Sequence, residues 1–213
     1  ITSFPIFFFS IRNFKNEEIL DYKIITFSFI QLFLVILSFL GLIFSFIYSD
    51  FSNETVFNNS HSTKPLFYKI SGTWGNHEGS LLLWLVVLTL FIFLFLISSK
   101  DHLKKYRILT VLFQQTIIIG FFVFLIKSSN PFNYIFPIPD EGLGLNPILQ
   151  DPALAIHPPV LYLGYVGSSI IFSSVLAATT LNYISKTWAM HIKKWVLVSW
   201  IFLSLGILLG SIW

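Results

Sequence analysis

Leu81-Leu82-Leu83-Trp84-Leu85-Val86-Val87-Leu88-Thr89-Leu90-Phe91-Ile92-Phe93-Leu94-Phe95-Leu96-Ile97 carries no charge from end to end. As a helix rising about 1.5 Å per residue it reaches roughly 25 Å. The hydrocarbon core of a bilayer is about 30 Å thick, so the run nearly spans it and needs one more turn from the residues before it. Four similar runs occupy 24–48, 108–126, 160–181 and 195–213. The sequence therefore predicts an all-α integral membrane protein with five transmembrane helices. Composition agrees: 55% of residues are hydrophobic and 11% charged, against about 25% charged in a typical soluble domain. Residues 1–23 precede the first span as an N-terminal segment or the stub of an earlier helix. Its apolar stretch, 1–9, is too short to cross and contains Pro5.

The basic residues give an orientation. Arg12, Lys15 and Lys23 precede the first span. Lys100, Lys104, Lys105 and Arg107 lie between the second and third, and Lys186, Lys193 and Lys194 between the fourth and fifth. These are ten of the 13 Lys and Arg residues. Only Lys64, Lys69 and Lys127 fall on the opposite face. The positive-inside rule places loops 49–80 and 127–159 outside, in a periplasm or intermembrane space. A pI near 9.1 thus reads as membrane orientation and points to no nucleic acid. The chain has no cysteine, which excludes thiolate chemistry and disulfides within it. The 25 phenylalanines suit an AT-rich organellar gene.

The two outside loops each exceed thirty residues, a length usually tied to function. The first ends Ser71-Gly72-Thr73-Trp74-Gly75-Asn76-His77-Glu78-Gly79-Ser80. Asn76 reads as an N-cap and Glu78 as a first-turn acid. The three glycines allow close approach to something flat or bulky. Trp74 and Trp84 read as interfacial anchors. All this also describes no more than a capped helix start. Yet His77 and Glu78 stand side by side at the hydrocarbon boundary, where ionisable groups are costly.

The second loop holds seven of the nine prolines and closes Ala155-Ile156-His157-Pro158-Pro159. Two prolines after His157 predict an extended backbone there and a rigidly presented ring. With Tyr162 and Tyr165 nearby, such a histidine suits a haem-iron axial ligand. It also suits a bystander at an ordinary proline helix start. His61, His102 and His191 read as solvated surface residues. Gln114, Gln115 and Thr116 lie mid-span and are expected to make interhelical hydrogen bonds.

Trp74-Gly75-Asn76-His77-Glu78-Gly79-Ser80-Leu81-Leu82-Leu83-Trp84 closely resembles a signature of the CcmF family, the haem-lyase component of cytochrome c maturation system I. Leu145-Asn146-Pro147-Ile148-Leu149-Gln150-Asp151-Pro152 and Ile156-His157-Pro158-Pro159-Val160-Leu161-Tyr162 resemble its next signature. Leu205-Gly206-Ile207-Leu208-Leu209-Gly210-Ser211-Ile212-Trp213 is similar to the helix leading to its Trp-rich WWD segment. The resemblance is collinear over 20–213 and implies an N-terminal part of a mitochondrial haem lyase. It implies that haem b is held transiently on the outer side, with His157 an axial ligand through the iron, for covalent attachment to apocytochrome c. Trp74, His77, Glu78, Pro158 and Pro159 belong to shared motifs without an assigned role. No catalytic residue is named.

The family's WWD segment and second external histidine would lie beyond Trp213. The implied partners are therefore other CcmF fragments carrying that segment, a CcmE-like haem chaperone, apocytochrome c and the lipid bilayer. The expected location is the mitochondrial inner membrane, with a bacterial plasma membrane as the alternative. A non-catalytic CcmF-derived structural subunit of a respiratory or assembly complex is the competing expectation.

Overall fold

Long uncharged runs fold as helices because lipid offers backbone groups no hydrogen-bond partner. The computed structural model describes residues 2–16 and 21–212. Trp213, the end of the last predicted span, lies outside the described residues. A short helix α1 (Ser3–Asn16) precedes α2 (Asp21–Tyr48). Two small helices, α3 (Glu54–Asn59) and α4 (Leu66–Gly72), sit in the first long loop. Then come α5 (His77–Ser98), α6 (Lys104–Ser128), α7 (Pro152–Tyr165), α8 (Ser168–Thr180) and α9 (Lys186–Ile212). By length and composition five segments can cross a membrane: α2, α5, α6, α7 with α8, and α9. The described residues contain no strand, and one isolated bridge pairs Asn53 with Tyr134.

Helix α5 is central. It packs against α2, α6, α7 and α8, and its apolar residues point in every direction, as a helix surrounded by protein requires. It begins at His77 and so takes the extra turn that its short apolar run needed. Pro5 does not interrupt α1, because in the first turn its missing N–H has no helical acceptor to lose. Helices α2 and α9 turn large apolar side chains outward, among them Phe29, Phe33, Phe44, Trp200 and Leu208.

The mid-span polar groups tie helices together. Gln31 and Gln115 bond reciprocally, at 3.2 Å and 2.9 Å, and Gln31 also donates to Ser3 Oγ. Gln114 donates to Ser169 Oγ and accepts from Ser173 Oγ, both at 2.8 Å. Thr116 bonds within its own helix. Near the start of α6, Arg107 is 2% exposed. It donates to the Leu96 carbonyl at 2.9 Å and to Ser99 Oγ at 3.1 Å. A cation there satisfies carbonyl ends of α5 that the helix itself cannot.

The predicted fourth span starts earlier and is broken. Helix α7 begins at Pro152, where Asp151 caps the amides of Ala153 and Leu154. His157 is therefore helical, and the extended backbone expected before two prolines is not found. At Val166 and Gly167 both amides turn to the Tyr162 carbonyl, and α8 starts afresh. A Cβ on Gly167 would come within 2.5 Å of the Phe91 ring, so only glycine permits this close crossing of α5.

The two long loops form one cap on one face. Glu54 N donates to Asn133 O, Ile135 N to Ser52 O, and Leu143 N to Phe57 O, all at 2.8–2.9 Å. Asn53 Nδ2 reaches Pro131 O at 2.9 Å. Glu141 accepts from the backbone and hydroxyl of Ser62 and from Gly142 N. These bonds hold its carboxyl down to about 2, with the Ser62 hydroxyl the largest cause.

Candidate functional site

Proline removes one backbone donor each time it stands inside a helix. Helix α7 contains Pro158 and Pro159, so the carbonyls of Leu154 and Ala155 lose their i+4 partners. Ala155 is buried, and an unmet buried carbonyl costs about 1–3 kcal/mol. The missing donor comes from the first motif: Trp74 Nε1 donates to the Ala155 carbonyl at 2.8 Å. The Trp74 ring stacks on Phe39 at 6.3 Å, and its own carbonyl accepts from Ser80 Oγ at 2.7 Å. Ser80 Oγ and Tyr162 OH lie 3.2 Å apart. The two signature stretches thus form one unit.

On the other side α7 runs against α9. Leu203 fills the space over Gly164, Leu161 that over Gly206, and His157 that over Gly210. Added Cβ atoms at these glycines would stand 2.3, 2.7 and 2.8 Å from their neighbours. Small residues let membrane helices approach this closely. At the loop end of the seam, His157 Nδ1 lies 2.7 Å from the Gly206 carbonyl oxygen. A carbonyl only accepts, so Nδ1 carries the proton. Nε2 is left with the lone pair that binds a metal. The imidazole is half-buried and held by two helices. These are the attributes of an axial ligand, so the residues present fit a haem iron.

The remaining motif residues are placed elsewhere. Tyr162 and Tyr165 pack on Trp84. Tyr162 is turned about 140° from His157 around the helix, given 100° per residue. His77 is exposed and lies against α6, with Nδ1 3.1 Å from Ser129 Oγ and its ring edge-on to Phe124. Glu78 lines a polar cleft of about 250 Å³ with Glu54, Asn58, Asn130 and Asn133. Gly79 offers no space to a flat ligand, since its Cβ would fall 1.6 Å from the Thr73 carbonyl. Asn76 caps α5 through Gly79 N at 2.7 Å. Trp74 and Trp84 are half-buried, and their rings pack on Phe39 and on Phe121 and Tyr162.

Two other histidines depart from their surface reading. His102 and His191 place their ring centroids 4.7 Å apart, beneath Tyr183 and Phe95. Burial lowers the His102 pKa, and Arg107 adds to this while Asp101 opposes it. His61 lies half-exposed in its loop, beside Glu141 and Thr63.

The arrangement defines a polytopic helical membrane protein with two long loops tied to each other and a histidine on α7 oriented by α9. A family profile described as "Cytochrome C assembly protein" matches residues 74–213, and the chain belongs to that family. It is 49% identical over 183 residues to the cytochrome c-type biogenesis protein CycK of Bradyrhizobium diazoefficiens. That match covers 86% of this chain and 28% of the relative. It is 43% identical over 179 residues to the cytochrome c-type biogenesis protein CcmF of Haemophilus influenzae, covering 83% and 28%. A solved structure titled "Cytochrome c Heme Lyase CcmF" shares the fold, with a TM-score of 0.80 and 24% identity. The alignment covers 96% of this chain and 32% of that one. The chain thus spans under a third of the length of these relatives.

Proposed function

We propose that the chain is the N-terminal membrane portion of a CcmF-type haem lyase, and that His157 Nε2 is one axial ligand to haem b. The observation carrying this reading is the 2.7 Å bond from Nδ1 to the Gly206 carbonyl, which leaves Nε2 as the ligating atom. When bound there, haem b supplies the vinyl groups to which the thiols of apocytochrome c become joined. The contribution of this chain is to hold the imidazole in one orientation, with Nδ1 turned to the Gly206 carbonyl. A second ligand and the WWD segment come from another portion of the lyase, and a CcmE-like chaperone delivers the haem.

The skewed placement of Lys and Arg supports an outward-facing cap in the intermembrane space or periplasm. The phenylalanine-rich composition supports a mitochondrial inner membrane. The test is His157→Ala in native membranes, read by holocytochrome c and by the haem absorbance of the purified protein. Both should be lost while the helices remain inserted. Normal holocytochrome c in this variant would overturn the proposal.

A further inference from the structure

The Ala155 carbonyl is the acceptor that Pro159 deprives of its helical N–H, and the Trp74 indole occupies that vacancy at 2.8 Å. Ala155 and His157 are two residues apart, about 200° around a helix. The first turns of α7 are therefore gripped from opposite sides: by Trp74 at Ala155 and by α9 at His157. The indole is itself fixed, by the stack on Phe39 and by the Ser80 hydroxyl bonded to the Trp74 carbonyl. A donor so restrained holds one geometry of the proline-weakened turn.

We propose that Trp74 is a positioning residue for His157: its indole N–H replaces the backbone donor that Pro159 lacks, and so fixes the turn that carries the imidazole. This rests on the reading of His157 as a ligand, but its mechanics can be tested apart from haem. Trp74 acts through the Ala155 carbonyl. The proposal also gives two residue types of the separate signatures, an indole and a proline, one shared purpose.

Trp74→Phe keeps an aromatic ring on Phe39 and removes the donor. Pro159→Ala returns a backbone N–H to position 159, able to bond Ala155 from within the helix. The double variant should therefore repair what Trp74→Phe breaks. Two readouts are taken on the full chain. One is the ¹⁵N resonance pair of His157 in lipid, identified by its loss in His157→Ala. The other is holocytochrome c formed in native membranes. Trp74→Phe should shift or split the Nδ1–H signal and lower holocytochrome c about tenfold, the scale set by one unmet buried hydrogen bond. The double variant should recover both. An unchanged signal in Trp74→Phe, or a loss that Pro159→Ala does not repair, would overturn the proposal. If the signal shifts and recovers as expected while His157→Ala still makes holocytochrome c, the positioning stands and the ligand reading falls.

Discussion

His157 and Gly206 meet across α7 and α9 through a 2.7 Å hydrogen bond from the imidazole Nδ1 to the glycine carbonyl oxygen. The bond exists because Gly206 and Gly210 let the helices close to backbone contact. The same seam sets how tightly two spans pack and which nitrogen of the ring is engaged by the Gly206 carbonyl. Stability and ligand geometry are therefore coupled at these positions.

The two glycines should separate those effects. A Cβ on Gly206 would sit 2.7 Å from Leu161 Cα, and a backbone atom cannot step aside. Gly206→Ala should destabilise the folded chain in micelles by about 1–3 kcal/mol. A Cβ on Gly210 would meet the His157 ring at 2.8 Å, and a side chain can turn. Gly210→Ala should cost less, about 0.5–1.5 kcal/mol for the bond to the Gly206 carbonyl, yet displace the ring, seen in the ¹⁵N signal of His157. Equal unfolding midpoints for both variants would contradict this assignment.

Gly79 and Gly120 offer a sharper contrast within helices. A Cβ at Gly79 would overlap the Thr73 carbonyl at 1.6 Å, whereas nothing lies within 4 Å of one at Gly120. Gly79→Ala should abolish accumulation of folded protein, because the link from α4 into α5 must shift. Gly120→Ala should stabilise by about 0.5–1 kcal/mol through lost backbone freedom in the unfolded chain. Folded yield and thermal midpoint in detergent measure both.

The five spans were legible because a bilayer imposes run length and charge placement on the sequence itself. The cap of Asn76 on α5 was legible for a similar reason, being a local pattern. The helical state of His157 was not. Two following prolines argue for an extended residue, and what overrides them includes a donor 81 positions away, the Trp74 indole. The pairing of His102 with His191 was hidden likewise, since lysines around each residue describe only its local surroundings. The break at Gly167 rests on Phe91 of α5, which no reading of the fourth span alone contains. The candidacy of His157 came from the two prolines after it together with the family resemblance. Its tautomer depends on Gly206, in another helix.

The reciprocal glutamine pair predicts a non-additive response. Gln31 and Gln115 are both fully buried and each satisfies the other. Gln115→Leu strands an amide of Gln31 inside the protein, at a cost of about 0.6–1.7 kcal/mol for membrane-buried hydrogen bonds. Gln31→Leu with Gln115→Leu should cost less than the two single changes added together, since neither glutamine then lacks the other. The lost Gln31–Ser3 bond is common to Gln31→Leu and the double variant. Unfolding of the three variants in lipid micelles gives the coupling, and strict additivity would remove the pair from the account.

Glu141 makes the cap sensitive to acid. Its carboxyl is held down to about 2 by the Ser62 hydroxyl and amide and by Gly142 N, against an ordinary value of 4.5. A depressed carboxyl binds fewer protons folded than unfolded, so its contribution is complete above about 4.5 and fades as the pH falls towards about 2. The loop tie should therefore persist at neutral pH and loosen through that acid window. The protection of the Ser62 and Gly142 amides, relative to the intrinsic exchange rate at each pH, should fall there. Glu141→Gln should lower the protection of Ser62 at pH 7 and remove its change across the window. An unchanged acid profile in Glu141→Gln would assign the titration to another carboxyl and leave Glu141 outside the cap's stability.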